Sequence, residues 1–188
     1  MGIALDIAAT QLYRGGAYHL GLENRSLSSE QLHAMWMRWV ERYPIISIED
    51  PFAETDSAAM RAFTRACPIQ VVGDDFFVTS AEKVRGADGA CNAVLLKPNQ
   101  VGTLTETLAC WDAARSAGYK AIVSARSGET EDVSIVHLAV GWGVAQLKVG
   151  SFARSERMAK WNEALRIEEA LGAKALPFPA RKLFKSRS

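Results

Sequence analysis

The sequence predicts one α/β domain in which parallel strands alternate with helices. Three features point to this class: apolar runs short enough to be buried strands, segments of helical period between them, and turn or capping residues at their boundaries. With 188 residues, of which 48% are hydrophobic, the chain can bury one substantial core. A regular alternation of this kind favours either a TIM-type barrel or an open doubly wound sheet.

The first quarter of the chain predicts two strands separated by a turn and an amphipathic helix. Residues 3–9 form the opening strand, and Gly15-Gly16 signals a turn after it. Ser28 has the capping-box spacing to Gln31, so a helix begins there. Residues 45–48 are apolar and form the second strand of the predicted sheet.

Strands and helices then continue to alternate to the end of the domain. The further strands are expected at 69–73, 94–96, 121–124 and 144–149, and the helices at 56–66, 80–86, 103–117, 131–140 and 154–171. In the helix over 103–117, Leu104, Leu108 and Trp111 recur on one face. The pattern amounts to six β-then-α units. No G-x-G-x-x-G or G-x-x-x-x-G-K-[ST] motif follows any strand, so nucleotide-binding open sheets lose support.

Composition argues against several classes of protein. Lys+Arg 22 against Asp+Glu 21 gives a net charge of +1, so neither a nucleic acid nor a membrane partner is indicated. With no apolar run near the roughly 20 residues of a membrane span and no signal sequence, we expect a cytoplasmic protein.

The odd cysteine count, Cys67, Cys91 and Cys110, indicates reduced, buried thiols. Residues 1–175 form the predicted domain, and residues 176–188 form a basic tail.

Charged residues follow the apolar runs at the points where the strands end. In chain order they are Asp6, Glu49 with Asp50, Asp74 with Asp75, Lys97, Arg126 with Ser127, and Lys148. The carboxyl ends of parallel strands meet at one rim, so we expect a shared site there. Asp6, Glu49 and Asp74 can converge on one hard divalent cation, and oxygen-only ligation with open positions suits Mg²⁺.

Two lysines on this rim suit opposite roles in proton transfer. One of Lys97 and Lys148 can act deprotonated as a base, while the other stays charged and steadies a developing negative oxygen. Arg126 with Ser127, beside the start of a helix, offers a seat for a phosphate or a carboxylate. Each residue alone could be ordinary loop solvation. Together they describe proton abstraction next to a metal-bound carboxylate, with an enediolate-like intermediate.

Five blocks of sequence at these strand ends occur in an order typical of one known family. They are Ser47-Ile48-Glu49-Asp50-Pro51-Phe52, Val72-Gly73-Asp74-Asp75, Leu95-Leu96-Lys97-Pro98-Asn99-Gln100-Val101-Gly102, Ser127-Gly128-Glu129-Thr130-Glu131-Asp132 and Arg154-Ser155-Glu156-Arg157. Over residues 3–175 the chain resembles the enolases, the phosphopyruvate hydratases of glycolysis. The resemblance implies a partial TIM-type barrel: six βα units of the C-terminal barrel, without the N-terminal α+β domain and the first two barrel strands.

The resemblance also implies a role for each rim residue. Asp6, Glu49 and Asp74 match the magnesium ligands of the family. Lys97 matches the base that removes the C2 proton of 2-phosphoglycerate, and Lys148 matches the lysine that faces the substrate carboxylate and the enolate charge. Arg126 and Ser127 match the residues that hold the phosphate, so the substrate-binding set implied by the resemblance is Glu49, Asp74, Lys97, Arg126, Ser127 and Lys148.

Departures from the family pattern leave other functions open. Ala125 stands where enolases carry a histidine, and Gln11 stands where a glutamate usually follows the first metal ligand. In the enolases, the segments that lie outside the resemblance supply the acid that helps hydroxide leave, a loop over the phosphate and much of the dimer interface. We therefore expect a homo-oligomer or a complementing N-terminal enolase-like chain. The alternatives are a paralogue that acts on another phospho- or phosphono-carboxylate, and a non-catalytic binding or scaffold protein.

Overall fold

A parallel sheet of six strands organises the chain in the computed structural model, which describes residues 2–175. In chain order the strands are β1 (Ile3–Asp6), β2 (Tyr13–Arg14), β3 (Ala17–Leu20), β4 (Arg25–Leu27), β5 (Ile45–Glu49), β6 (Gln70–Gly73), β7 (Ala93–Leu96), β8 (Lys120–Ser124) and β9 (Leu147–Lys148). The helices are α1 (Ser29–Arg42), α2 (Ser57–Ala66), α3 (Ala81–Arg85), α4 (Pro98–Val101), α5 (Leu104–Ser116), α6 (Ser134–Gly141) and α7 (Ser155–Leu171). The predicted basic tail, 176–188, lies outside the described residues.

The main sheet has the order β1-β5-β6-β7-β8-β9, and all of its neighbours pair in parallel. It curls into half of a barrel, which confirms the predicted α/β class and the six βα units. Strands β2, β3 and β4 form a small antiparallel sheet between β1 and α1. The turn between β2 and β3 uses Gly15 and Gly16 at φ of 58° and 83°, as the sequence predicted.

Polar side chains fix the starts of the helices where the sequence placed them. Ser28 and Gln31 form the complete capping box of α1. Asp56, Ser80 and Thr103 cap α2, α3 and α5 by accepting a hydrogen bond from the backbone N–H three residues on. Each helix therefore starts at a defined position relative to the strand before it.

The core has two layers, one on each side of the curled sheet. The larger layer lies between the sheet and the helices and includes Val71, Val94, Leu96 and Val123. The smaller layer lies on the inner side of the curl and consists of four residues: Val72, Ala93, Leu95 and Ile122. Because side chains alternate along a strand, residues two positions beyond this inner cluster also face inward.

Three predicted boundaries differ from the structure by more than one residue. Strand β1 ends at Asp6 because Ala8 adopts a left-handed conformation, with φ of 48°. Strand β9 is limited to Leu147–Lys148. Helix α6 begins at Ser134, since the Asp132 carboxylate accepts hydrogen bonds from the backbone N–H and the hydroxyl of Ser134 before the helix starts.

Helix α5 leaves both leucines of its predicted apolar face exposed, whereas Trp111 on the same face packs against the core. Leu104 and Leu108 are 54% and 37% exposed. The buried residues are small: Thr107, Cys110, Ala113 and Ala114. Small side chains let α5 lie close to α3, β7 and β8, so close approach decides which face is buried.

Both edges of the main sheet are strands that pair on one side. Within residues 2–175, β1 hydrogen-bonds with β5 alone and β9 with β8 alone in this sheet. Strand β1 is largely exposed, and Ile3 is 40% exposed.

The three cysteines are buried and unpaired, as predicted. No helix within residues 2–175 has the length and apolar character needed to cross a bilayer.

Candidate active site

Strand register brings the predicted site residues to one rim of the sheet. Asp6 pairs with Glu49 at the ends of β1 and β5, and Ser124 pairs with Lys148 at the ends of β8 and β9. Asp74 and Lys97 directly follow β6 and β7, each two positions beyond a residue of the inner apolar cluster. The alternation of strand side chains therefore directs these two toward the interior of the curl.

Lys148 connects the two edges of the curled sheet. Its Nζ donates to Asp6 Oδ2 at 2.8 Å and lies 2.8 Å from both carboxylate oxygens of Glu49. The Glu49 side chain is 6% exposed, so this contact holds a buried charge. The side chain of Lys148 on β9 thus contacts β1, at the opposite edge of the sheet.

At the pair of Glu49 and Lys148, burial and hydrogen bonding shift the pKa of each group in opposite directions. Burial raises the pKa of Glu49 to about 8, although hydrogen bonds from Lys148 act in the other direction. Burial alone would lower the pKa of Lys148, but its hydrogen bonds to Asp6 and Glu49 outweigh that effect and raise it. The contacts of one amine with both oxygens favour the pair of ammonium and carboxylate.

The second lysine forms its own ion pair deeper in the rim. Lys97 Nζ contacts Asp74 Oδ2, and the two side chains are 12% and 11% exposed. The other oxygen of this carboxylate, Asp74 Oδ1, is buried and has no hydrogen-bond partner. Thr79 accepts a hydrogen bond from the Lys97 N–H at 3.1 Å and donates to Gln100 Oε1 at 2.7 Å. One buried hydroxyl therefore orients the Lys97 backbone and the Gln100 side chain together.

Asp50 holds the backbone on which Asp74 lies. Its two carboxylate oxygens accept hydrogen bonds from the N–H groups of Asp74, at 3.0 Å, and Asp75, at 2.8 Å. Asp50 adopts a left-handed φ of 42° and is 4% exposed. Burial raises its pKa to about 6, even though both backbone donors favour the ionised form. Asp50 thus fixes the end of β6 against the end of β5.

The acids of the rim fit a hard divalent cation in part. One oxygen from each of Asp50, Asp74 and Asp75 lies within 4.8 Å of the others. Oxygen ligands and the buried, unpartnered Asp74 Oδ1 suit Mg²⁺. Asp6 and Glu49, which the sequence grouped with Asp74, instead contact Lys148, and their oxygens do not form a ligand group with Asp74 among residues 2–175.

The predicted phosphate residues lie in the loop after β8. Arg126 and Ser127 are exposed, and Arg126 Nη1 donates to Asn99 Oδ1 at 3.2 Å. Since Asn99 follows Lys97 by two residues, this bond holds the guanidinium over the end of β7. Ala125 donates its backbone N–H to the Lys148 carbonyl at 2.9 Å, and its side chain packs against the larger layer of the core.

Sequence reasoning missed the supporting roles of Asp50 and Thr79. Asp50 stood in the sequence as one half of an acidic pair, but nothing local shows that its carboxylate reaches the next strand end. Thr79 has a left-handed φ of 56° and is fully buried, which no motif indicated. Both roles depend on contacts between segments more than fifteen residues apart.

Comparison with known proteins identifies the family. The family model for the enolase C-terminal TIM barrel domain matches residues 1–186. The chain is 50% identical over 190 aligned positions to Enolase 1 of Desulfitobacterium hafniense (strain Y51), and the match covers 98% of this chain and 43% of that protein. The chain therefore spans less than half the length of this relative. It belongs to the enolase family, in which it corresponds to the C-terminal TIM barrel domain.

Proposed function

We propose that this chain provides the metal-binding and proton-abstracting half of an enolase-like lyase that dehydrates 2-phosphoglycerate to phosphoenolpyruvate. The observation that carries the proposal is the meeting of two lysine amines with three carboxylates, Asp6, Glu49 and Asp74, at adjacent strand ends. A base next to a carboxylate-rich cation site is the arrangement required to remove a proton beside a carboxylate.

The residues divide the work of proton abstraction between them. Asp74, whose Oδ1 has no partner, would hold Mg²⁺ together with Asp6 and Glu49, which contact Lys148 in this structure and would exchange that contact for the cation. When bound, the cation would supply positive charge that acidifies the C–H next to the substrate carboxylate. Lys97 is the base that takes the proton from C2. Lys148 offsets, through its ammonium charge, the negative charge that develops on the carboxylate oxygens.

The phosphate and the leaving group require further residues. Arg126, held by Asn99, and Ser127 bind the phosphate of the substrate in this proposal. The departing hydroxide needs a proton donor, to which we assign no residue of this chain. We propose that the donor comes from the N-terminal portion of an enolase-like protein, in the same polypeptide or in a second chain.

A second substrate class is favoured by one residue. Ala125, directly after β8, carries only a methyl group, which can neither titrate nor form a hydrogen bond. A different phospho- or phosphono-carboxylate, bound by the same cation and lysines, would be compatible with this change.

The proton-abstraction step can be measured separately from dehydration. We expect the chain with Mg²⁺ to exchange the C2 proton of 2-phosphoglycerate for deuterium in heavy water, followed by proton NMR. Lys97→Met should slow this exchange by about 10²- to 10⁴-fold. Lys83→Met, an exposed position on α3, is the matched control and should exchange at the wild-type rate.

Dehydration is then tested with and without the N-terminal portion of Enolase 1 from Desulfitobacterium hafniense added as a separate chain. We expect phosphoenolpyruvate to form only with the added chain. Exchange with another phospho- or phosphono-carboxylate but not with 2-phosphoglycerate would favour the second substrate class. If calorimetry shows no Mg²⁺ binding with or without the partner, the lyase proposal is wrong and a scaffold role remains.

A further inference from the structure

A fully buried lysine lies outside the set of residues used so far. Lys160, in the second turn of α7, is 0% exposed. Removing an ammonium group from water is costly unless it is paired and hydrogen-bonded. Its contacts must therefore be strong enough to hold it, and they show which part of the molecule α7 stabilises.

The Lys160 amine is held mainly by the loop that follows β8. Its Nζ donates to the Thr130 carbonyl at 2.7 Å and lies 3.2 Å from Glu129 Oε2. A third contact, to the Glu156 carbonyl at 3.0 Å, comes from the first turn of α7 itself. Two of the three partners thus belong to the segment that carries the proposed phosphate residues.

Glu129 continues the connection to the phosphate residues. While Oε2 faces Lys160, Oε1 accepts a hydrogen bond from the Arg126 N–H at 2.9 Å. The Glu129 N–H in turn donates to the Arg126 carbonyl at 3.3 Å. The loop is therefore closed between positions 126 and 129, and one carboxylate joins that closed turn to α7.

The same contact also removes an unfavourable charge. The Glu129 carboxylate is 19% exposed and lies three residues from Arg126, where a phosphate group would bind. An unpaired carboxylate at this place would repel a phosphate dianion and compete for the guanidinium. The Lys160 ammonium, at 3.2 Å, offsets this charge from the interior.

We propose that Lys160 is a positioning residue for phosphate binding: it anchors the loop that carries Arg126 and Ser127 to α7 and neutralises Glu129. The inference rests on the proposed function of that loop. Helix α7 is thereby coupled to the substrate site, although Lys160 touches neither substrate nor cation.

The test compares phosphate affinity and loop exchange in the 188-residue chain. Lys160→Met keeps the volume and removes the charge, and Arg166→Met removes an exposed charge from the same helix as the matched control. Inorganic phosphate binding is measured by calorimetry. Arg126→Ala, which removes a proposed phosphate-binding residue, is the reference for lost binding. Hydrogen exchange followed by mass spectrometry reports on peptides that cover residues 125–131.

We expect Lys160→Met to weaken phosphate binding by at least tenfold and to speed exchange in residues 125–131, with β5 to β8 still protected. Arg166→Met should match the wild type in both measurements. Wild-type affinity in a folded Lys160→Met would overturn this inference alone. A wild-type chain that binds no phosphate would show that the proposed phosphate-binding site is wrong, and the inference would fall with it.

A folding defect in Lys160→Met would not end the test. Lys160→Gln, whose amide can still donate to the Thr130 carbonyl but carries no charge, is then measured with the same expectations. Circular dichroism of each variant establishes that it is folded before its affinity is compared.

Discussion

Two adjacent buried acids, Glu49 and Asp50, have different contacts and different roles at the strand ends. Glu49 and Asp50 are adjacent, yet Glu49 faces the Lys148 amine while Asp50 turns away to bind two backbone N–H groups. The left-handed φ of Asp50 produces this divergence. One acid is thus available to the site, and the other holds the site together.

Asp50 gives a prediction about pH. Its folded pKa of about 6 lies above its ordinary value of 3.8, so the folded state binds the proton more tightly. The stability contributed by Asp50 is therefore present at low pH and is lost as the pH rises from about 4 through 6. Asn does not titrate. The difference in unfolding free energy between wild type and Asp50→Asn should fall by about 2 kcal/mol between pH 4 and pH 7.

Urea unfolding at several pH values measures this difference. Asp112→Asn, at an exposed position of α5, serves as the control and should give a difference that changes little with pH. A wild-type advantage that grows with rising pH would contradict the assignment of Asp50 as a strained, buried carboxylate.

The Asp56 carboxylate caps helix α2 and also links the start of that helix to α1 and β3. Asp56 caps α2 by accepting from the Ala59 N–H, and its other oxygen accepts from the Tyr18 hydroxyl at 2.9 Å and the Ser29 hydroxyl at 2.6 Å. The Tyr18 hydroxyl also accepts from the Ala53 N–H at 2.9 Å. Three elements, β3, α1 and α2, therefore meet at one carboxylate just below the rim loop that follows β5.

Replacing this carboxylate should cost more than an ordinary cap. We expect Asp56→Ala to lower the unfolding free energy by about 3 kcal/mol, since it removes a cap and leaves the buried Tyr18 hydroxyl without its acceptor. Ser80→Ala, which removes the cap of α3 alone, should cost about 1 kcal/mol. Urea denaturation measures both. Equal losses in the two variants would show that the joining contacts add nothing.

The whole molecule is a sheet that curls without pairing its two edges. Lys148 reaches from β9 to Asp6 on β1, but no backbone hydrogen bonds join these strands within residues 2–175. Unpaired parallel edges and the exposed Ile3 are typical sites of association. The chain covers 43% of Enolase 1, so a longer enolase offers additional elements that could cover these edges.

The isolated chain should therefore associate through β1. We expect sedimentation velocity to show an increase in average mass with concentration in the micromolar range. Ile3→Lys puts a charge on the edge strand and should reduce association. Leu104→Lys puts a charge on the exposed face of α5 and should reduce it less. A monomer at all concentrations would contradict the prediction, and equal effects of the two variants would place the contact elsewhere.

The sequence by itself determined the order of strands and helices, the helix caps at Ser28 and Asp56, and the kind of charge at each strand end. These features depend on periodicity and on neighbours a few residues apart, so they can be read locally. The same local signals overestimated the length of β9 and did not show that Leu104 and Leu108 are exposed.

The tertiary structure alone decided which charges meet. The contact of Lys148 with Asp6 joins residues 142 positions apart, and that of Lys97 with Asp74 joins residues 23 apart. The roles of Asp50 and Lys160 likewise appear only in the folded chain. The physical reason is that such contacts depend on the curl of the sheet and the packing of α7, which result from all the strands and helices together and from no single segment.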